Sequence, residues 1–141
     1  MRSETPPESA CGNVRLQRFI LRLMTSLSLI ALPAVIVPRM AVEKLSWLMG
    51  FGQPPMVPLL VYMTAGGSCV YIGQAVLLWF ISLDVVRYRP LVLLLGWAYL
   101  AFGPVFIWIH LDAGTPHWWM AMDSLSCLAA GAALLWACRS R

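Results

Sequence analysis

The sequence predicts an all-α fold, an integral membrane four-helix bundle with a short interfacial helix between the first and second membrane helices. The 141-residue chain is 60% hydrophobic and only 11% charged, whereas soluble domains carry about 25% charged residues. Three long apolar runs and one shorter run fill most of the chain, and a membrane crossing needs roughly 20 such residues. Positive charges fall almost entirely on alternate sides of these runs, as expected for a chain that crosses a membrane several times.

The first membrane helix is predicted at about 19–37. Residues 1–14 are polar, so we expect a disordered cytoplasmic tail before a single membrane domain at 15–141. Basic residues followed by an apolar run could also indicate a signal peptide. However, Pro38 and Arg39 interrupt the positions where cleavage would be expected, so an uncleaved helix is the better interpretation.

A short amphipathic segment follows, and three further membrane helices complete the prediction. Residues 40–50 partly follow a helical period, so we expect a short helix lying on the membrane surface. The next helices are predicted at 57–83, 90–109 and 118–138. Pro104 should kink the third of these near its outer end.

The positive charges also predict the orientation of the chain. Eight of the ten Lys and Arg residues lie on one side of the predicted membrane, and these are Arg2, Arg15, Arg18, Arg22, Arg87, Arg89, Arg139 and Arg141. The positive-inside rule therefore places both termini in the cytoplasm. The net charge of +4 is explained by this anchoring, and no basic patch is interleaved with aromatic residues as single-strand nucleic-acid binders require. We expect no nucleic-acid partner.

Small residues recur at helical spacing and predict how the helices pack. Lipid gives helices no hydrophobic reason to associate, so small residues that allow close approach are favoured at their interfaces. We expect three such faces to meet inside the bundle, together with Cys69 and Cys127 as small packing residues. The faces are Ala65, Cys69 and Gly73; Gly96 and Gly103; and Ala129, Ala133 and Ala137.

Four polar residues near the predicted outer side form the main candidate site. His110, Asp112, His117 and Asp123 place two imidazoles and two carboxylates within fourteen residues. They could bind a divalent cation, but the spacing matches no metal motif, so we favour a solvated loop and expect no metal. Asp123 could serve as a proton or cation relay; we favour an acid at the interface that reaches water or His117.

Two further polar features lie deeper and on the cytoplasmic side. Gln74 should form a structural hydrogen bond across the bundle with Ser68, Thr64, Ser126 or Tyr99. Asp84 and Arg87 are three residues apart and can pair on a helix end. Together with Arg89 they form an inner hairpin that could contact anionic lipid headgroups.

Several chemistries are excluded by residues that the chain lacks. A buried bis-histidine haem needs ligands inside the helices, and both histidines lie at the outer boundary. There is no C-x-x-C, no phosphate-binding G-x-x-x-x-G-K-[ST], no G-x-S-x-G and no H-E-x-x-H sequence. We therefore expect no cofactor.

Two strings resemble those of a group of uncharacterised small bacterial membrane proteins. These proteins carry D-x-x-R-Y-R-P-L on an inner hairpin and, one helix later, D-x-x-A-G-x-P-x-W-W; here the strings are SLDVVRYRPL at 82–91 and DAGTPHWW at 112–119. The second motif is shortened here, and His110 and His117 are not part of the pattern. The hydropathy also resembles that of DoxX-like four-helix proteins. The resemblance covers about 20–138 and implies a bacterial cell-membrane protein, but it implies no activity.

These observations favour a non-enzymatic membrane subunit or accessory protein. Its expected partners are the lipid bilayer and either another membrane protein or further copies of the chain. One alternative is a small transporter or channel with an outer polar mouth, which should show a polar cavity reaching past Gln74. Another is a membrane redox partner of the quinone type, whose pocket would be lined by Trp, Tyr and Met.

Overall fold

The structure, a computed structural model, describes residues 13–54 and 57–139. All regular structure within these ranges is helical. The helices are α1 (Val14–Ser28), α2 (Leu32–Ile36), α3 (Pro38–Leu48), α4 (Pro58–Leu83), α5 (Arg89–Ala113) and α6 (His117–Arg139), and a 3-10 turn at Leu29–Ala31 links α1 to α2. Most of the predicted tail, residues 1–12, lies outside the described residues.

Four helical segments are long and apolar enough to span a membrane, which confirms the predicted fold class. They are α1 continued through α2, then α4, α5 and α6. Large apolar side chains such as Ile30, Phe80 and Trp97 are exposed on their surface. Such a surface is unfavourable in water and is expected in lipid. The chain is a multi-pass membrane protein.

The first span begins five residues earlier than predicted, because the basic segment is itself helical. Asn13 caps α1 by accepting a hydrogen bond from the Leu16 backbone N–H at 3.0 Å. Gln17 and Leu21 are buried while Arg18 and Arg22 are exposed, so the arginines occupy the outer face of an amphipathic turn. Residues 13 and 14, predicted to belong to the tail, cap and start this helix.

Pro33 explains the short break within the first span. A proline in a helix has no N–H to donate, and its ring clashes with the carbonyl four residues earlier. That carbonyl belongs to Leu29, where the chain tightens into the 3-10 turn. After Val37, Pro38 opens α3, which packs against α2 and α4. That α3 lies on the membrane surface remains a prediction.

The spans form two tightly packed units. In the first unit, α1 and α2 lie against α4; in the second, α5 lies against α6. The α5–α6 contact depends on Gly96, Gly103 and Gly131: a Cβ on Gly131 would lie 2.7 Å from the Gly96 carbonyl oxygen, and one on Gly103 would lie 2.5 Å from Leu128 Cδ2. The prediction that the glycines of the third span face inward is therefore correct.

The predicted small-residue face on α4 is wrong. Cys69 and Gly73 are exposed, and an added Cβ on Gly73 would meet nothing within 4 Å. α4 instead packs through Ala75, Leu78 and Ile81, which are fully buried. The large side chains of Leu78 and Ile81 bury more apolar area and make more van der Waals contacts than glycine.

The apolar core lies at the end where the chain enters α1 and leaves α6. Leu21, Leu78, Ile81, Val92 and Leu134 are all fully buried there and belong to one cluster. Backbone and side chain join the two units at the same end, because the Asn13 N–H and the Gln17 amide both donate to the Ala137 carbonyl at 3.0 Å. The α4 backbone stays apart from α5 and α6, and core side chains such as Leu78 and Val92 bridge the space between them.

Candidate functional site

A cavity of about 200 Å³ lies where the two units separate. We call it the interhelical cleft. Residues from all four spans line it, and its polar and aromatic members are Ser28, Tyr71, Gln74, Tyr99, Phe106, Asp123, Ser126 and Cys127. The cleft lies between the two units. On the side of the apolar core it is bounded by Met24, which belongs to the core cluster.

α5 extends four residues beyond its predicted boundary and past Phe106, the last of its residues that line the cleft. His110 and Asp112 were predicted to lie in a solvated loop, but α5 continues to Ala113. It ends at Gly114, whose φ of 64° gives the left-handed cap that glycine adopts most readily. The Gly114 and Thr115 N–H groups both donate to the His110 carbonyl. His110 therefore lies in the last turns of a helix, where its position is fixed.

His110 forms the main polar contact of this region, with Asp123 on α6. Its Nε2 lies 3.1 Å from Asp123 Oδ2 and its Nδ1 lies 2.6 Å from Thr115 Oγ1. The His110 side chain is 9% exposed, whereas that of Asp123 is 43% exposed and lines the cleft. The partner of Asp123 is thus His110 rather than His117. Thr115 was not identified from the sequence; it is held here by the turn that follows Gly114.

The Thr115 hydroxyl links the tautomer of His110 to its contact with Asp123. When the hydroxyl donates to Nδ1, at 2.6 Å, the neutral ring carries its proton on Nε2 and donates it to Asp123 Oδ2 at 3.1 Å. When the hydroxyl donates to the His110 carbonyl instead, at 3.3 Å, Nδ1 must donate to Thr115.

Asp112 and His117, the other two residues of the predicted cluster, do not join this pair. Both are exposed. Successive residues of a helix turn by about 100°, so Asp112 lies on nearly the opposite face of α5 from His110. His117, six residues before Asp123 on α6, also faces elsewhere. Within the described ranges, no three His, Cys, Asp or Glu side chains lie close enough to hold a metal ion.

Gln74 bridges the two units. Its amide Nε2 donates a hydrogen bond to the Tyr99 hydroxyl, which is one of the four partners that the sequence predicted. Gln74 is nine residues from the end of α4, or about 14 Å at about 1.5 Å per residue, which is near half the hydrocarbon thickness. The polar lining of the cleft reaches Gln74, whereas the transporter alternative predicts a polar cavity that extends past this residue.

The inner hairpin is built differently from the predicted ion pair. Asp84 Oδ1 accepts a hydrogen bond from the Arg87 backbone N–H at 3.1 Å and so caps the turn. The Arg87 guanidinium lies over the Tyr88 ring, 5.7 Å from its centroid. Arg89 is half-buried at the start of α5. Contact of this hairpin with lipid headgroups remains a prediction.

Comparisons with protein-family models, with curated proteins and with solved structures give no match for this chain. The cleft and the His110–Asp123 pair are therefore the features from which its function can be inferred.

Proposed function

We propose that this chain is a small transporter-type protein of the bacterial inner membrane, which binds a small molecule in the interhelical cleft from the outer side. In this proposal both termini are cytoplasmic, supported by the arginines of the chain. The main observation in support of this proposal is the cleft itself, whose polar lining runs from Asp123 to Gln74. Binding and release of a molecule need no covalent chemistry, so the proposed role is non-enzymatic.

A purely structural bundle accounts for most of this lining, but not for Asp123. Polar groups inside a membrane protein cost free energy unless they are paired or face a water-filled space. Gln74 donates to Tyr99, and the Ser28 and Ser126 hydroxyls donate to backbone carbonyls. Within the described residues, Asp123 is paired through one carboxylate oxygen, and its side chain remains 43% exposed. A binding cleft explains why this carboxylate is left partly unpaired.

The packing also suits a transporter. The two units are joined at the inner end by the core and by the hydrogen bonds to Ala137. Beyond the core, the cleft lies between them. Two rigid units held together at one end can rock about that end, which is the motion that alternating access requires.

Native cysteines provide the test. Cys127 lines the cleft, Cys69 is exposed on the surface of α4, and Cys138 is buried in the core. Membrane-impermeant methanethiosulfonate reagents react with thiolates in water, and a lipid-facing or buried thiol does not ionise. Applied to intact cells carrying a Cys11→Ser background, such a reagent should label Cys127 alone, and Cys127→Ser should abolish the labelling. Folded protein without any labelling at Cys127 would rule out an outward-accessible cleft.

A membrane subunit is the second candidate, and one observation favours it. Gly66, Gly67 and Gly73 are exposed on α4, and an added Cβ at any of them would meet nothing within 4 Å. Exposed small residues allow another helix to approach closely. If this role is correct, mild-detergent purification from native membranes should recover a stoichiometric partner or a second copy. Replacing Gly66 and Gly73 with Leu should then release it, whereas the same change at exposed Val76 should not.

A further inference from the structure

We propose that the interhelical cleft binds a hydrophobic organic cation, held by the Asp123 carboxylate and the rings of Tyr71, Tyr99 and Phe106. This inference rests on the proposed function, because it names the class of molecule that the cleft would take. It follows from the charge of the cleft, from its aromatic lining and from an apolar groove next to it.

The first argument is charge. Among the described residues that line the cleft, Asp123 alone carries a formal charge. His110 is the titratable group that contacts it, through Asp123 Oδ2. The second oxygen, Oδ1, takes no hydrogen bond from the part of the chain that the structure describes. The cleft therefore presents one carboxylate with a free acceptor and no cationic side chain in its described lining, which attracts a cation and repels an anion.

The second argument is the aromatic lining. Tyr71, Tyr99 and Phe106 face the same cavity as Asp123. The face of an aromatic ring is electron-rich and attracts quaternary ammonium groups, most strongly where water is excluded. A neutral hydrocarbon would not need an aromatic lining, because aliphatic side chains would bind it equally well. It would also cover the Asp123 carboxylate without pairing it, which costs free energy.

The third argument is the neighbouring groove, which provides space for an apolar substituent. It has a volume of about 470 Å³ and is lined by apolar residues of α4 and α5, including Val70, Leu95 and Phe102. The groove and the cleft share Gln74 and Tyr99 in their walls. A molecule with a cationic head and a hydrophobic body could place its head near Asp123 and its body in the groove. Val70 and Phe102 are exposed, so the groove opens to the lipid and an apolar body can extend from it towards the bilayer.

The test uses the reaction rate of Cys127 with two methanethiosulfonate reagents of similar size. One carries a trimethylammonium group and the other a sulfonate. Cys127 lies one helical turn from Asp123, so their side chains are neighbours. Relative to a free thiol in the same buffer, the cation-to-anion rate ratio at Cys127 should be raised roughly tenfold, given an effective dielectric constant between those of water and protein. Any change in the thiolate fraction of Cys127 affects both reagents alike and cancels.

Two variants make the test specific. Asp123→Asn should bring the ratio back to that of the free thiol. Asp112→Asn makes the same change at the same end of the molecule, but at a residue outside the cleft, and should leave the ratio unchanged. A second measurement needs no variant: phenyltrimethylammonium should protect wild-type Cys127 from labelling at concentrations at least tenfold lower than its neutral isostere, tert-butylbenzene.

The outcomes separate this inference from the function on which it rests. If both reagents label Cys127 at the free-thiol ratio, or the neutral isostere protects as well as the cation, the cleft is accessible but does not select cations, and only this inference fails. If neither reagent labels Cys127, the accessible cleft itself is refuted. A ratio that falls equally in both Asp variants would assign the selectivity to general surface charge and would also overturn this inference.

Discussion

Replacement of Gly131 with alanine should destabilise the α5–α6 unit strongly. The added Cβ would lie 2.7 Å from the Gly96 carbonyl oxygen and 2.9 Å from the Leu100 amide nitrogen. Both are backbone atoms, which cannot rotate away as a side chain can. The two helices would have to separate by several tenths of an ångström along their contact, and overpacking of this kind costs about 1–3 kcal/mol.

Gly73→Ala is the matched control. Alanine is a better helix former than glycine by about 0.8–1.0 kcal/mol, so both variants gain this amount. The Cβ at Gly73 would meet nothing within 4 Å. The difference in unfolding free energy between the two variants therefore isolates the steric cost at Gly131, and we expect it to be about 2 kcal/mol, or roughly 30-fold in the unfolding equilibrium.

Reversible unfolding in mixed micelles, followed by far-ultraviolet circular dichroism, measures this difference. Gly96→Ala should fall between the two variants, because its Cβ would lie 2.8 Å from Leu135 Cδ2, the end of a side chain that can change rotamer. If Gly131→Ala proves as stable as Gly73→Ala, α5 and α6 do not pack as described. The position of the cleft residues on these two helices would then also be wrong.

Three further predictions concern the cap, the mid-membrane bridge and the orientation. Gly114→Ala places an L-residue at a φ of 64° and should lower the unfolding free energy by about 1–2 kcal/mol in the same assay. Gln74→Leu and Tyr99→Phe should each destabilise the protein, and a double-mutant cycle should give a coupling near 0.6 kcal/mol, the average for such bonds in a membrane protein; additive effects would argue against the bridge. In intact cells, and in a background whose native cysteines are replaced by serine, an impermeant maleimide should label Asp112→Cys but not Val86→Cys, and the reverse result would invert the topology.

The number of spans was predictable from sequence because lipid leaves the chain few choices. Backbone groups in hydrocarbon must be satisfied within the segment, so a long apolar run becomes a helix whatever its neighbours do. Helix ends were less predictable. His110 and Asp112 resemble loop residues in composition, yet a helix can continue past the membrane boundary until a residue such as Gly114 ends it.

Helix pairing was only partly predictable, because small residues show where close approach is possible and not which helix approaches. Gly96 and Gly103 allow α5 to approach α6 closely, whereas Gly73 on α4 is exposed and contacts no other helix among the described residues. The candidate site depends on the same information. His110 and Asp123 are thirteen residues apart and belong to different helices, so their contact becomes visible only when α5 is known to reach Ala113.

The distribution of polar groups along the cleft links the fold to the proposed role. At the inner end, Leu78 and Leu134 are fully buried and the two units are held together by apolar packing, which allows little movement. At mid-depth, the bond from Gln74 to Tyr99 bridges the units, and a hydrogen bond can break and reform at small net cost because a polar ligand or water can replace either partner. At the outer end, one carboxylate oxygen of Asp123 takes no hydrogen bond from the described residues and can receive such a ligand. The order of these contacts, from apolar to exchangeable to open, is the order expected of a cleft that binds from outside and moves about its inner end.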